Sequence, residues 1–153
     1  MHNKTVTADE LRGLVGKDLE PSPWLSLDQE RISAFAEVTE DRQFIHVDIE
    51  KAKNSPFGGT IAHGLLTLSM LPSMIEKTLP ALEGMKASIN YGYNKIRFLS
   101  PVRSGKKVRA KFVIAEFGET GPGRYQIITN ITVEIEGEDK PALIAEWISI
   151  VLV

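Results

Sequence analysis

An α+β fold, an antiparallel sheet curved around one long buried helix, is predicted by three observations. From about Ala62 to Leu79 the residues are apolar on nearly all sides of a helical axis, the mark of a helix enclosed by other elements. Beyond about Gly84 the pattern changes to alternation: Val108, Ala110, Phe112 and Ile114 share one face, as do Ile127, Thr129, Ile131, Val133 and Ile135. No repeat, low-complexity run or Ser/Gly linker divides the 153 residues, so 1–153 reads as a single domain.

Taken in order, Ser26 with Gln29 three residues later forms a capping-box pattern. Ile32, Phe35, Ala36 and Val38 then recur near helical spacing on a helix running to about Thr39. Asp48 is placed to cap a short helical turn through Glu50, Ala52 and Lys53, which Asn54-Ser55-Pro56 and Gly58-Gly59 end. The long apolar helix follows, with Leu65, Leu66, Leu68, Met70, Leu71, Met74 and Ile75 directed around its axis. Pro72 removes one of its hydrogen bonds and should kink or break it. Strands are expected from Ala87 to Leu99, around Val108 to Ile114, from Arg124 to Glu134 and from Ala142 to Leu152. Gly121-Pro122-Gly123 and Glu136 to Lys140 serve as hairpin connections. A meandering sheet that curls around a buried helix describes a hot-dog fold. One such sheet covers its helix best when a second copy closes the assembly, so a homodimer is expected.

Composition narrows the function. With 42% hydrophobic and 25% charged residues the chain has the make-up of a globular domain with a sizeable core. A formal charge of -2 provides no basic field for a phosphate backbone, so nucleic acid is not an expected partner. The absence of cysteine excludes disulfides, thiolate metal ligands and a cysteine nucleophile. No apolar signal core stands at the N-terminus and the longest apolar region is interrupted by Thr67, Ser69, Pro72 and Ser73; a cytoplasmic protein without a membrane partner is expected.

The chemistry concentrates in Asp41 to Asp48 and in Thr60 to Gly64. Asp41 and His46 stand five positions apart in a segment that reads as a loop, just upstream of the long helix. An ionised carboxylate accepts only, and a neutral imidazole accepts through one nitrogen, so the two can orient one water and shuttle its proton. Adding water to a double bond conjugated to a thioester needs a held water, a base, an acid for the α-carbon and donors at the thioester oxygen. Asp41 and His46 suit the first three roles. The helix start suits the fourth, because its first amides lack intrahelical partners, and Gly64 lets a ligand approach its N–H. Taken singly, each residue also has a plainer reading: Asp41 as a turn or cap, His46 as a structural histidine, Gly64 as a close-packing position.

In combination these residues resemble the MaoC-like dehydratase family, which includes the (R)-specific enoyl-CoA hydratases. Asp41, His46 and Asp48 fall on the first Asp, the His and the last Asp of its motif Asp-x-Asn-Pro-x-His-x-Asp, and Ile61-Ala62-His63-Gly64 on its helix start. Phe57-Gly58, Asn90-Tyr91-Gly92 and Arg97 to Val102 are similar to the family as well. Gln43 and Phe44 stand where Asn and Pro are usual, as in the branch containing the nodulation protein N-like proteins. Gln43 keeps the amide with one methylene more reach, while losing Pro loosens the loop.

The resemblance implies an Asp41/His46 dyad acting on a trans-2-enoyl thioester, with syn addition giving an (R)-3-hydroxyacyl thioester. It also implies a dimer with a CoA channel at its interface and no metal or redox cofactor; beside it, Gly64 N–H is the candidate oxyanion donor and Gln43, Ala62, His63 and Asn90 are the candidate substrate contacts. Arg97, Arg103, Lys106, Lys107, Arg109 and Lys111 form the densest basic region, open to CoA phosphates or simply a solvated strand face. A hot-dog thioesterase is the alternative enzyme, disfavoured because Gly64 to Ile75 contains no Asp or Glu and Glu76 is the first acid there. A non-catalytic acyl-thioester binder is the alternative from another class.

Overall fold

The computed structural model describes residues 4–153; Met1, His2 and Asn3, to which the sequence assigns no role, lie outside the described residues. The sheet follows from the alternating segments. β4 (Ala87–Phe98), β5 (Lys107–Gly121), β6 (Arg124–Ile135) and β7 (Leu143–Leu152) are joined, with the short β2 (Leu25–Ser26), in the order β2-β5-β6-β7-β4. All neighbours are antiparallel. The two hairpin turns lie where Gly121 to Gly123 and Glu136 to Lys140 place them. Gly123 is fixed by geometry, since its φ is +65° and a Cβ there would stand 2.9 Å from the Val153 carbonyl oxygen. β1 (Thr5–Val6) and β3 (Ala81–Leu82) form a separate parallel pair.

The strand meander has one crossing that periodicity does not reveal. β4 pairs with β7, not with β5, so the segment after Phe98 must travel to the opposite side of the sheet before β5 begins. That crossing segment lines the cavity described below.

The inward face of the curled sheet presents Val108, Ala110, Phe112, Ile131, Val133, Ile135, Leu143, Ala145 and Trp147 to Leu66, Leu68, Leu71 and Met74 of the central helix in one buried cluster. Burial of this kind contributes about 25 cal/mol per Å² of apolar surface, and the shared cluster is what holds the sheet in its curl. A second cluster joins Leu11 of α1 (Ala8–Arg12) and Val6 to Ile114, Ile127 and Val151. Sequence periodicity misses the five-residue α1, which is held by a Thr7/Glu10 capping box.

The central helix departs from expectation. It does not run from Ala62 to Leu79 but forms two pieces, α5 (Gly64–Ser69) and α6 (Leu71–Ile75), which meet at Met70. Pro72 sits in the first turn of α6, where a missing N–H costs least, and Met70 keeps a right-handed helical backbone, so the two pieces form one shorter, interrupted helix. Nor is the helix covered all round: Leu65 is 58% exposed.

The helix before the motif is α2 (Gln29–Thr39), as expected at its C-terminal end. Its cap is not the Ser26/Gln29 box. Asp28 caps it by accepting from the Arg31 N–H at 2.9 Å, and the Gln29 side chain is used elsewhere. Ile32 and Ala36 face the core, whereas Val38 is 81% exposed and drops out of the apolar stripe.

Candidate active site

The end of α2 places the acid. Glu40 adopts a left-handed conformation with φ of 62°, the only positive φ at a non-glycine residue among the described residues, and it turns the chain sharply out of the helix. A fork of two 2.9 Å bonds from Arg42 to Glu37 ties the turn back to α2. Asp41, directly after the turn, lines the cavity.

The imidazole is carried on a single helical turn, α3 (Phe44–Val47). The next turn, α4 (Ile49–Ala52), is capped by the Asp48 carboxylate accepting from the Lys51 N–H at 2.9 Å, the cap expected for Asp48. A strand-like passage, residues 60–62, locks the histidine turn from behind. It runs against residues 102–104 through Ala62 N–H to Val102 O at 2.7 Å and Ser104 N–H to Thr60 O at 2.9 Å, and it donates from Ile61 N–H to Ile45 O at 2.9 Å.

The Ile61 carbonyl in turn lies 2.7 Å from His46 Nδ1. A carbonyl only accepts, so Nδ1 carries the proton, and in the neutral ring Nε2 keeps its lone pair. His46 is buried, which pushes its imidazole below the ordinary value. The Ile61 hydrogen bond opposes that shift, His63 adds to it and the Asp41 charge opposes it. A buried, neutral imidazole with a free Nε2 is a base.

His63 is stacked on His46 with ring centroids 3.7 Å apart and planes 23° from parallel, and its other face meets Phe35 at 5.0 Å. Its Nε2–H donates to the backbone carbonyl of Asp41 at 2.9 Å. His63 therefore touches both members of the pair, the ring of one and the backbone of the other. Its Nδ1 is buried without a hydrogen-bond partner. Donor atoms of Asp41, His46 and His63 lie within 4.8 Å of one another, close enough to hold a cation.

The three residues open onto a cavity of about 400 Å³ whose walls are mainly apolar, from Phe35, Phe57, Leu65, Phe98, Val102 and Leu143. Gly64, the first residue of α5, forms part of the wall, and its amide has no carbonyl one turn earlier in the helix to bond. A Cβ at Gly64 would stand 2.8 Å from Cδ1 of Phe98, so only glycine leaves room for that ring.

Of the sequence-selected residues, Asp41, His46, Ala62, His63 and Gly64 are brought together around this cavity. Gln43 and Asn90 are not. Gln43 is exposed, and it contributes a backbone carbonyl to the His46 N–H at 2.9 Å, while Asn90 lies on β4 opposite Ser149, outside the cavity wall. Sequence reasoning missed Phe98 and Thr67 as wall residues. An aromatic at the end of a strand, next to Ser100-Pro101, was the available signal for the first.

The basic region resolves into pairs. Lys111 and Arg109 reach the Glu134 carboxylate at 2.6 and 2.7 Å, which holds that carboxyl below its ordinary range. Lys107 faces Glu136 at 3.9 Å and Lys106 faces Glu138 at 3.7 Å. These four form a solvated ladder between neighbouring strands. Arg97 and Arg103 instead bracket the cavity-lining segment 98–102, with Arg103 lying against the Gly58 turn.

Residues 10–135 match the MaoC like domain. The chain is 44% identical to nodulation protein N of Rhizobium meliloti, covering 95% of this chain and 91% of that protein. It is 42% identical to the 3-hydroxyacyl-thioester dehydratase Z of Mycobacterium tuberculosis, covering 91% of each. The structure of the (R)-hydratase of A. caviae superposes with a TM-score of 0.72 at 24% identity, covering 88% of this chain and 94% of that one, and so shares the fold.

Proposed function

The chain belongs to the MaoC-like dehydratase family, a family of hydratases and dehydratases, and from that premise we propose that it is an (R)-specific enoyl-CoA hydratase. Asp41 and His46 are its catalytic dyad and Gly64 N–H its oxyanion donor. The observation that carries the reading is the buried His46 ring, whose Nδ1–H is committed to Ile61 and whose Nε2 is left to accept a proton beside Asp41.

A water held between the Asp41 carboxylate and His46 Nε2 adds its oxygen to the β-carbon of a trans-2-enoyl thioester and gives up a proton to the dyad. Electrons move through the conjugated system onto the thioester oxygen, where the Gly64 N–H stabilises the enolate. The dyad then delivers a proton to the α-carbon, giving a 3-hydroxyacyl thioester with no net change in the protein. Delivery from the face on which the water was held makes the addition syn. The same groups run in reverse remove water from the 3-hydroxy product. The depressed basicity of His46 matters because the base is ready unprotonated near neutral pH.

The apolar cavity takes the acyl chain, and Ala62 and His63 line its approach. Arg97 and Arg103 are the cations of the basic region assigned to CoA phosphates, because they flank in sequence the cavity-lining segment 98–102 and neither is in the strand ladder. The working unit is a homodimer of single hot-dog domains, each spanning 1–153. Support for a second copy lies in β4, an edge strand of twelve residues that leaves Ile89, Tyr91 and Phe98 46%, 65% and 51% exposed. Long exposed apolar edges are templates for pairing. No helix of the described residues is long and apolar enough to cross a membrane.

The test is the chirality of the product. Incubation with crotonyl-CoA is expected to give (R)-3-hydroxybutyryl-CoA, resolved from its enantiomer after hydrolysis of the thioester; the (S) product or a racemate contradicts the assignment.

A further inference from the structure

Gln29 stands outside the cavity wall, yet its side-chain amide makes three hydrogen bonds. Its Nε2 donates to the backbone carbonyl of His46 at 2.8 Å and lies 3.2 Å from the Ser33 hydroxyl, and its Oε1 accepts from the Thr60 hydroxyl at 2.6 Å. Thr60 is itself only 6% exposed, so the amide and the hydroxyl meet away from bulk water.

We propose that Gln29 and Thr60 form a clamp that positions the His46 ring for proton transfer, Gln29 being a positioning residue and not a catalytic one. Three separate segments meet at this amide: the first residue of α2, the α3 turn and the passage 60–62. The last two are also joined by Ile61 N–H to Ile45 O and by His46 Nδ1–H to Ile61 O. Without the amide, the α3 turn leans on the passage 60–62, which residues 102–104 support. With it, both are referred to α2, whose Ile32 and Ala36 are anchored in the core.

The two ends of the amide are not interchangeable. The His46 carbonyl demands a donor and the Thr60 hydroxyl, donating, demands an acceptor, so a primary amide is the side chain that satisfies both at this reach. A carboxylate keeps the acceptor but faces the carbonyl with a second lone pair. An apolar residue leaves the carbonyl and the buried hydroxyl without partners, and buried groups left unpaired draw in water or shift. This demand also explains why Gln29 does not serve in a helix cap.

The charged and titratable groups facing His46 are Asp41 from the end of α2 and His63 from the start of α5. Loosening the clamp lets the ring gain water and drift from both.

The inference rests on the hydratase reading for its kinetic arm and is independent of it for its spectroscopic arm. Gln29→Leu, Gln29→Glu, Thr60→Val and Thr60→Ser in the full chain are compared with the parent for kcat and KM on crotonyl-CoA. The His46 titration is followed in parallel by the ring-proton NMR signals, assigned with His46→Gln.

The expected result is a fall in kcat of about tenfold or more for Gln29→Leu, Gln29→Glu and Thr60→Val, with KM within about twofold and the pH midpoint of His46 moved upward toward a solvated ring. Thr60→Ser, which keeps the hydroxyl, restores both readouts. Combining Gln29→Leu with Thr60→Val costs no more than either alone, because one clamp is broken once. An unmoved His46 midpoint in folded Gln29→Leu overturns the clamp, as does a kcat within twofold of the parent. If the parent itself lacks hydratase activity, the function fails while the His46 midpoint still decides the clamp: a shift supports it and no shift overturns it.

Discussion

The ring of Phe98 lies against the Cα of Gly64, so close that a methyl group built there would meet Cδ1, Cε1 and Cγ at 2.8 to 3.0 Å. An aromatic from the edge strand thereby rests on the first residue of the central helix, at the wall of the cavity that Asp41 and His46 also line. Substituting Gly64→Ala forces the ring aside. Overpacking of this kind costs about 1–3 kcal/mol, reduced where the ring can swing into solvent, and Phe98 is half exposed. Gly64→Ala is expected to lower the urea midpoint and the hydration rate together. Adding Phe98→Ala recovers the stability, because the clash is gone. A Gly64→Ala variant with unchanged midpoint and rate contradicts both the packing and the oxyanion role.

The depressed basicity of His46 fixes a sign. A ring held neutral by burial binds fewer protons in the folded than in the unfolded chain, so stability falls as pH drops below the free value of about 6.5. Two outcomes are expected. The acid limb of kcat/KM has its midpoint below about 6.5, and His46→Gln flattens part of the loss of unfolding free energy from that pH downward. A limb at or above the free value, together with an unchanged stability slope, contradicts the buried neutral base.

His63 touches Asp41 through its backbone and His46 through its ring face. His63→Ala removes both contacts and is expected to lower kcat by about tenfold, near 1.4 kcal/mol, within the usual worth of one hydrogen bond plus a stacked ring. His63→Gln, which can still donate an N–H to the Asp41 carbonyl, loses less. Equal kcat in the parent and His63→Ala argues that the stack is only packing.

The exposed apolar residues of β4 make the oligomeric state testable. Tyr91→Lys with Ile89→Lys is expected to shift sedimentation from dimer to monomer, since like charges then line the edge. A dimer that survives both substitutions places the interface elsewhere.

How much of this was legible beforehand depends on the range of the force involved. Strands β4, β6 and β7 begin and end within a residue or so of the boundaries that alternation gives, because alternation is a local consequence of burying one face. Asp48 as a cap and Thr39 as the end of α2 were likewise local. Asp41, His46 and Gly64 are weak signals singly and were singled out by their combination at a spacing that the family resemblance reproduces; the fold brings them to one cavity. The partner of β4 was not, since periodicity fixes a strand's faces and not its neighbour. The interruption at Met70 depends on where Pro72 falls within a helical turn, which spacing alone does not set. Gln29 was misread because its capping pattern fits the sequence, while the carbonyl and hydroxyl that claim its amide lie 17 and 31 residues away.

In the proposed reaction Asp41 and His46 add water to an enoyl thioester without cleaving it. Loss of enoyl absorbance from crotonyl-CoA and from a longer trans-2-enoyl-CoA, with free thiol followed in the same tube, tests it for the parent, Asp41→Asn and His46→Gln. Absorbance loss is expected in the parent alone, with no thiol released and both variants folded. Thiol release at the rate of absorbance loss, or near-parental turnover in either variant, would contradict it.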